Sequence, residues 1–313
     1  MDIKEYVIRY GVVAGRRFYP PEKLRFIMGL LKELDQMKIP VDVKEGKKAQ
    51  RKAYNLYAGD LEKSSFILSA YYDTPPKSFG FIRHKVFDAK NDSYGYKISV
   101  LIAMALIVIT GALLIQYVFK PVWTDGIFDF RDILYILPTL IVVYLLFKYR
   151  NGIGNANNLI RNTSGVIAAL VFAEKLGLKE KKKIAFAFTD FGCINRFGDY
   201  MLRDSLKEKI DHKTIILLDS IGAEEGLSVL YSKSAKEHIE KLKASKTYEN
   251  VYFQPITDEN NTYARIYKNY MVITSGRPFQ GSIYINKANT LKDNDINEEN
   301  INLTVDILNE LIS

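Results

Sequence analysis

Two kinds of hydrophobic pattern share this chain. The first is short and continuous: "SSFILSAYYD", "KKIAFAFTD", "KTIILLDSIG" and "YMVITSG" each hold an apolar run of strand length that ends in a polar or turn residue. Unbroken apolar runs of that length fit strands covered on both faces. Between them the apolar positions recur at helical spacing. Leu24, Ile27, Met28, Leu31 and Leu34 follow the opening pair Pro20 and Pro21, which predicts a helix with those side chains on one face. "RNTSGVIAALVFAEKLGL" predicts a helix capped by Thr163 or Ser164. Further helices are expected over 195–209, over 234–243 and in the closing "INEENINLTVDILNELI", and "VDVKEG" and "AYNLYAGD" have the look of short strands. Strands alternating with helices imply an α/β fold of three layers, a mostly parallel mixed sheet with helices on both faces.

The second pattern is long. From Ile98 to Phe119 no charged residue occurs, and Lys97 and Lys120 bracket the run. At about 1.5 Å per residue it matches a hydrocarbon core of roughly 30 Å. A second apolar run, 133–149, contains Pro138, which membrane helices tolerate. The pair reads as a transmembrane hairpin inserted into the α/β domain. The expected organisation is therefore 1–80 as the first part of that domain, 81–152 as the inserted hairpin and 153–313 as the second part. Arg83, Lys85, Lys90 and Lys97 precede the first span and Lys148, Arg150 and Arg161 follow the second, whereas the connecting loop offers Lys120 and Arg131 beside three aspartates. That asymmetry predicts an integral membrane protein whose termini and α/β domain are cytoplasmic.

Composition changes this picture little. The formal net charge of +8 suggests an anionic partner, but Lys and Arg are scattered and no nucleic-acid motif accompanies them, so none is expected. The single cysteine, Cys193, excludes an intramolecular disulfide and a cysteine-based zinc cluster, and suits a reducing compartment. The N-terminal "MDIKEYVIRYGVVAG" has no signal-peptide apolar core, and secretion is not expected.

The candidate chemistry lies at strand ends. Asp73, Asp190 and Asp219 each follow an apolar run, and the carboxyl edge of a parallel sheet is where such folds build their sites. Three carboxylates there are weak candidates for a Mg²⁺ or Ca²⁺ site.

The order of these segments resembles the co-catalytic zinc aminopeptidases and glutaminyl cyclases. "ILSAYYDTPP" is similar to that family's strand ending in Ala-His-x-Asp-Thr, and "RNTSGVIAALVFAEKL" to its Asp-Asn-x-Ser-Gly helix start. "KKIAFAFTDFGCINRFGDYML" resembles the strand leading to its Glu-Glu pair, "IILLDSIG" its Asp-x-x-Gly strand, and "NTLKDNDINEENINLTVDILNEL" its closing helix. The resemblance implies a zinc-exopeptidase-like fold. It also implies two zinc ions held by two histidines, a bridging aspartate, a glutamate and a further aspartate, with a second glutamate as general base. Most of those positions are altered. Tyr71 stands where the first histidine belongs, Arg161 where the bridging aspartate belongs, and Gly192 and Cys193 near the Glu-Glu pair. The last histidine falls between Ile285 and Asn289, and no histidine follows His238. Asp73 and Asp219 are kept. His84, His212 and His238 read as juxtamembrane, solvated or capping residues.

The remnant pocket is thus expected to contain Tyr71, Asp73, Arg161, Asp190, Cys193, Asp219 and Asn289, with no assigned catalytic residue, no zinc and no other cofactor. Arg161 is expected to pair with Asp73, Asp219 or both, replacing the metal charge. The leading reading is a membrane-anchored, catalytically inactive member of this fold, acting as a cytoplasmic-side binding or scaffold module. Its expected partners are the lipid bilayer and a membrane-proximal peptide or another membrane protein. A working hydrolase, using one atypical metal or Cys193 as nucleophile, is the alternative. A subunit of a membrane complex is a third reading.

Overall fold

Strands with unbroken apolar sequences are drawn to the middle of a sheet, where both faces are covered. The computed structural model describes residues 2–48, 51–77, 84–86, 89–116, 130–149, 152–257, 261–276 and 283–313. Its strands are β1 (Val41–Lys48), β2 (Arg51–Ala58), β3 (Phe66–Tyr71), β4 (His84–Lys85), β5 (Ile184–Thr189), β6 (Thr214–Asp219), β7 (Leu227–Tyr231), β8 (Tyr252–Pro255), β9 (Tyr270–Ser275) and β10 (Tyr284–Ile285). Eight form one sheet in the order β1-β2-β5-β3-β6-β9-β7-β8. The central four, β5, β3, β6 and β9, are parallel and buried along their whole length. β2 joins β5 and β7 joins β9 antiparallel, so the sheet is parallel at its core and mixed at its flanks. β7 and β8 are not foreseen in the sequence reading, because "LSVLY" and "YFQP" are too short and mixed to stand out.

Alternate side chains of the same strands enter two cores. Leu68, Phe186, Ile216 and Ile273 pack with the helices Ser164–Lys175 and Glu298–Ile312, whereas Ile67, Ala187, Leu217 and Val272 pack with Phe197–Leu206 on the other face. Covering both faces makes the three layers that the sequence implies.

Three helices differ from expectation in detail. The helix Pro20–Gln36 buries Lys23, Phe26, Ile27, Leu30, Glu33 and Leu34, and leaves Leu24 and Met28 exposed. Phe26 turns the face, stacking on Tyr72 at 5.3 Å between ring centroids. Neither Thr163 nor Ser164 caps the next helix. The chain is already wound from Leu159 to Thr163, so Ser164 donates back to the Ile160 carbonyl at 2.6 Å and Thr163 to Asn158 Oδ1 at 2.7 Å. The helix expected over 195–209 spans Phe197–Leu206, starting after Arg196 at φ 57°.

The inserted segment contains two packed helices, Ala89–Leu114 and Phe130–Tyr149. Among the described residues no helix is long and apolar enough to cross a membrane. The described part ends at residue 116, inside the expected span 98–119, and the side chains at 89–96, 99, 130–136 and 139 lie outside the described set. Many described side chains of both helices are apolar and exposed, Leu101 by 70 %, Leu106 by 57 % and Phe147 by 68 %. The segment is rooted at the carboxyl edge of the sheet: Asn155 N–H donates to Pro75 O at 2.9 Å and Lys77 N–H to Ile153 O at 2.7 Å.

Candidate functional site

β5, β3 and β6 are adjacent and parallel, so their carboxyl ends bring Asp190, Asp73 and Asp219 to one edge. Asp219, fully buried, is the centre of a polar cluster. Its Oδ1 accepts from the Tyr71 hydroxyl at 2.7 Å and the Ser220 hydroxyl at 2.9 Å, and lies 3.1 Å from His84 Nε2. Its Oδ2 accepts from Arg196 Nη2 at 3.1 Å and the Tyr263 hydroxyl at 3.4 Å. An ionised carboxylate only accepts, so His84 carries its hydrogen on Nε2. Burial works against this charge, yet His84, Arg196 and Arg161 hold the carboxyl well below the usual carboxylate range.

Arg161 is also fully buried. Its Nε donates to the Tyr71 hydroxyl at 3.3 Å and its Nη1 to Asn289 Oδ1 at 2.7 Å. The expected direct pair with Asp73 or Asp219 is thus replaced by a relay. The guanidinium holds Tyr71, and Tyr71 holds Asp219. The direct ion-pair partners of Asp219 are Arg196 and His84. His84 is therefore not a solvated juxtamembrane residue. Strand β4 pairs His84 with Ile285 of β10, which carries it into the cluster from the root of the inserted segment.

No family model matches the sequence, and no curated protein does. Solved structures do match along almost the whole chain. Tannerella forsythia glutaminyl cyclase aligns over 99 % of this chain and 96 % of its own, with TM-score 0.57 and 14 % identity. A leucine aminopeptidase precursor from Bacteroides thetaiotaomicron gives the same two coverages at TM-score 0.56 and 15 % identity. Legionella pneumophila LapA aminopeptidase aligns over 99 % of this chain and 70 % of its own, with TM-score 0.57 and 10 % identity. The chain has the glutaminyl cyclase and aminopeptidase fold.

That fold makes the altered positions informative. Tyr71, Arg161 and Asp219 stand where the sequence resemblance puts metal ligands, and Asn289 ends the stretch 285–289 in which it puts the last histidine; here the four form one hydrogen-bonded chain. Gly192 packs tightly on this cluster, since a Cβ at that position would collide with the Tyr71 side chain. The Tyr71 side chain occupies the space into which a side chain at 192 would project.

Asp73 has a different environment. Its Oδ1 accepts from the Gly192 N–H at 2.6 Å, and both its oxygens lie 3.3 Å from the Cys193 N–H. Burial pushes its pKa up to about 6, against the pull of Lys23. Its backbone carbonyl takes the amide of Asn162 and, at 3.1 Å, the thiol of Cys193. Cys193 is buried, and its thiol donates to the Asp73 carbonyl. Beneath, Arg17 is fully buried and donates to the carbonyls of Tyr72 at 2.5 Å and Tyr10 at 2.7 Å. Asp190 pairs with Lys23 and accepts from the Tyr54 N–H at 3.2 Å.

Zinc needs several lone pairs converging on one point. Here the lone pairs of Asp219 face O–H and N–H donors, those of Asp73 face backbone N–H groups, and Asp190 faces an ammonium. Among the described residues no three His, Cys, Asp or Glu side chains gather as a metal site. The guanidinium groups of Arg161 and Arg196 lie 5.9 and 4.5 Å from the centre of the Tyr71 ring, where a nearby cation would be repelled. The donor set does not fit zinc.

His84, Arg196, Tyr263, Lys23 and Arg17 are site residues that the sequence reading missed. Arg196 alone left a trace, as a basic residue between strand β5 and the following helix.

Proposed function

We propose that this chain is a membrane-attached binding or scaffold module on the aminopeptidase fold, without the metal-dependent hydrolysis of catalytic members. The relay Arg161–Tyr71–Asp219 carries this reading. Metal-assisted hydrolysis requires a site that holds the ion and lowers the pKa of its bound water. Here the corresponding positions hold fixed positive charge and a phenol, and burial keeps the Tyr71 phenol well above its ordinary pKa. Tyr71 therefore stays neutral and donates, which is the opposite of a ligand.

Membrane attachment is supported by the charge-free stretch 98–119 and by the outward apolar side chains of both inserted helices. Apolar surface of that extent is otherwise covered by lipid or protein. The Lys/Arg asymmetry around the hairpin favours cytoplasmic termini and a cytoplasmic α/β domain. The partners are then the bilayer and a membrane-proximal peptide or a second membrane protein.

Two assays on the full chain test the reading. Membranes washed with alkaline carbonate should retain the protein, and detergent should release it. The purified protein, dialysed against zinc, should hydrolyse no unblocked aminoacyl substrate and cyclise no N-terminal glutaminyl peptide. Carbonate release, or a chelator-sensitive turnover, contradicts the corresponding half of the proposal.

A further inference from the structure

Apolar exposure does not stop at the inserted helices. Outside them, Val12, Val13, Leu178 and Leu291 are the large apolar side chains exposed by 70 % or more among the described residues. Leu178 lies in the turn before β5, at the amino edge of the sheet. The other three lie at the carboxyl edge, on segments far apart in sequence.

Hydrogen bonds tie those segments to the root of the hairpin. Val12 and Val13 end the wound segment Val7–Val13, and the Gly15 carbonyl just beyond accepts from the Asn158 side-chain amide at 2.7 Å. Arg17 N–H then donates to Thr74 Oγ1 at 3.1 Å, past the carboxyl end of β3. The Leu291 carbonyl accepts from the Asn157 side-chain amide at 2.7 Å. Ile153, 42 % exposed, belongs to the same return segment as Asn157 and Asn158. Its carbonyl accepts from the Lys77 N–H, and the neighbouring Gly152 N–H donates to Tyr149 O, the end of the second inserted helix.

Single apolar residues scattered on a surface need no explanation. Four that converge from three segments on the foot of two helices with exposed apolar side chains continue the surface of those helices. Two exposed lysines sit among them, Lys77 bonded through its backbone to Ile153, and Lys292 next to Leu291. Apolar side chains interleaved with lysines suit the headgroup boundary of a bilayer, where the lysine stem lies along the acyl chains and the ammonium stays in water. A protein partner on this patch would have to make room for the hairpin rooted in it.

We propose that Val12, Val13, Ile153 and Leu291 form a second membrane contact, in which the carboxyl edge of the α/β domain itself enters the boundary between headgroups and acyl chains. The contact rests on the membrane-attached reading above and extends it. The edge that carries Asp73 and Asp219 then lies against the bilayer, and a binding partner reaches it along the membrane surface.

The test uses the full chain in phosphatidylcholine nanodiscs, with one cysteine at a time introduced to carry a nitroxide label. Cys193 is buried and stays unlabelled. Val13→Cys and Leu291→Cys probe the patch, Leu178→Cys the opposite edge and Leu106→Cys the first inserted helix, all of them exposed positions that can take a label without disturbing the core. Collision with oxygen, which concentrates in lipid, and with a water-soluble nickel chelate reads the depth of each label. The labels at 13 and 291 should favour oxygen at a depth of about 5–10 Å, as an interfacial contact does. The label at 106 should lie deeper, and the label at 178 should favour the chelate. If either patch label is as open to the chelate as the one at 178 while the one at 106 is in lipid, the contact is overturned and the membrane attachment stands. Patch labels shielded from both reagents would mean that protein, such as a second copy of the chain, covers the patch, and would also overturn it. A label at 106 open to the chelate refutes the membrane-attached reading itself, and this contact with it.

Discussion

The hydroxyl of Tyr71 donates to Oδ1 of Asp219 at 2.7 Å and accepts from Nε of Arg161 at 3.3 Å. One phenol thereby links an anion to a cation, all three groups being buried. Tyr71→Phe would leave the Arg161 donor without this acceptor and remove one donor from Asp219. Thermal or denaturant unfolding should show a loss of about 1–3 kcal/mol, the penalty of an unsatisfied buried polar group. An unchanged stability would mean that the phenol contributes only packing.

Arg196 should matter more to Asp219 than Arg161 does, because it is a direct, buried ion-pair partner. Arg196→Ala is expected to cost about 3–5 kcal/mol, since it strands a buried charge. Adding Asp219→Asn should recover part of the loss. The same cycle between Arg161→Ala and Asp219→Asn should show weaker coupling, because the phenol intervenes. Equal coupling in the two cycles would contradict the relay.

Asp73 and Asp293 should make the fold less stable as pH rises. Burial raises both to about 6, Asp293 against its bonds from the Asn289 and Ile160 N–H groups. An ordinary carboxylate titrates near 4, so between about pH 4 and 6 the folded state holds protons that the unfolded chain has lost. Their stabilising contribution is complete below that range and disappears as pH rises through 6. It amounts to roughly 2–3 kcal/mol per group. Asp219 behaves oppositely, its contribution being lost only in strong acid. Unfolding of wild type and Asp73→Asn at pH 5 and pH 7.5 should show a smaller pH effect in the variant.

The orientation of the hairpin can be read by impermeant thiol labelling in intact cells. Cys193 is buried and cannot report on either side. In a Cys193→Ser background, Thr124→Cys should react from outside and Lys179→Cys should react only after permeabilisation. The reverse pattern would contradict cytoplasmic termini.

Much of this architecture was legible because a strand and the residue that ends it are adjacent in sequence. Asp73, Asp190 and Asp219 follow apolar runs, and the parallel order of β5, β3 and β6 brings them to one edge. Tyr71 and Arg161 could be singled out because motif order located both positions, and the fold brings them into hydrogen-bond contact. His84 could not be found that way. It lies 135 residues before Asp219 and reaches it through a two-stranded pairing with no apolar signature. Lys23 lies outside the face formed by Leu24, Ile27, Met28, Leu31 and Leu34, and it is buried on the face that Phe26 turns toward the sheet. Tyr263 lies in irregular chain before β9, where no periodicity marks a side chain as inward. Long-range polar partners are chosen by topology, and local pattern carries little of it.

The central claim is that fixed positive charge and a phenol occupy the place of the metal ions. Zinc titration of the purified full chain, followed by elemental analysis after gel filtration, tests it most directly. No stoichiometric zinc should remain on wild type, and Tyr71→His alone should not create a site, because Arg161 and Arg196 stay in place. One or more zinc ions retained per wild-type chain, removable by chelator, would contradict the account.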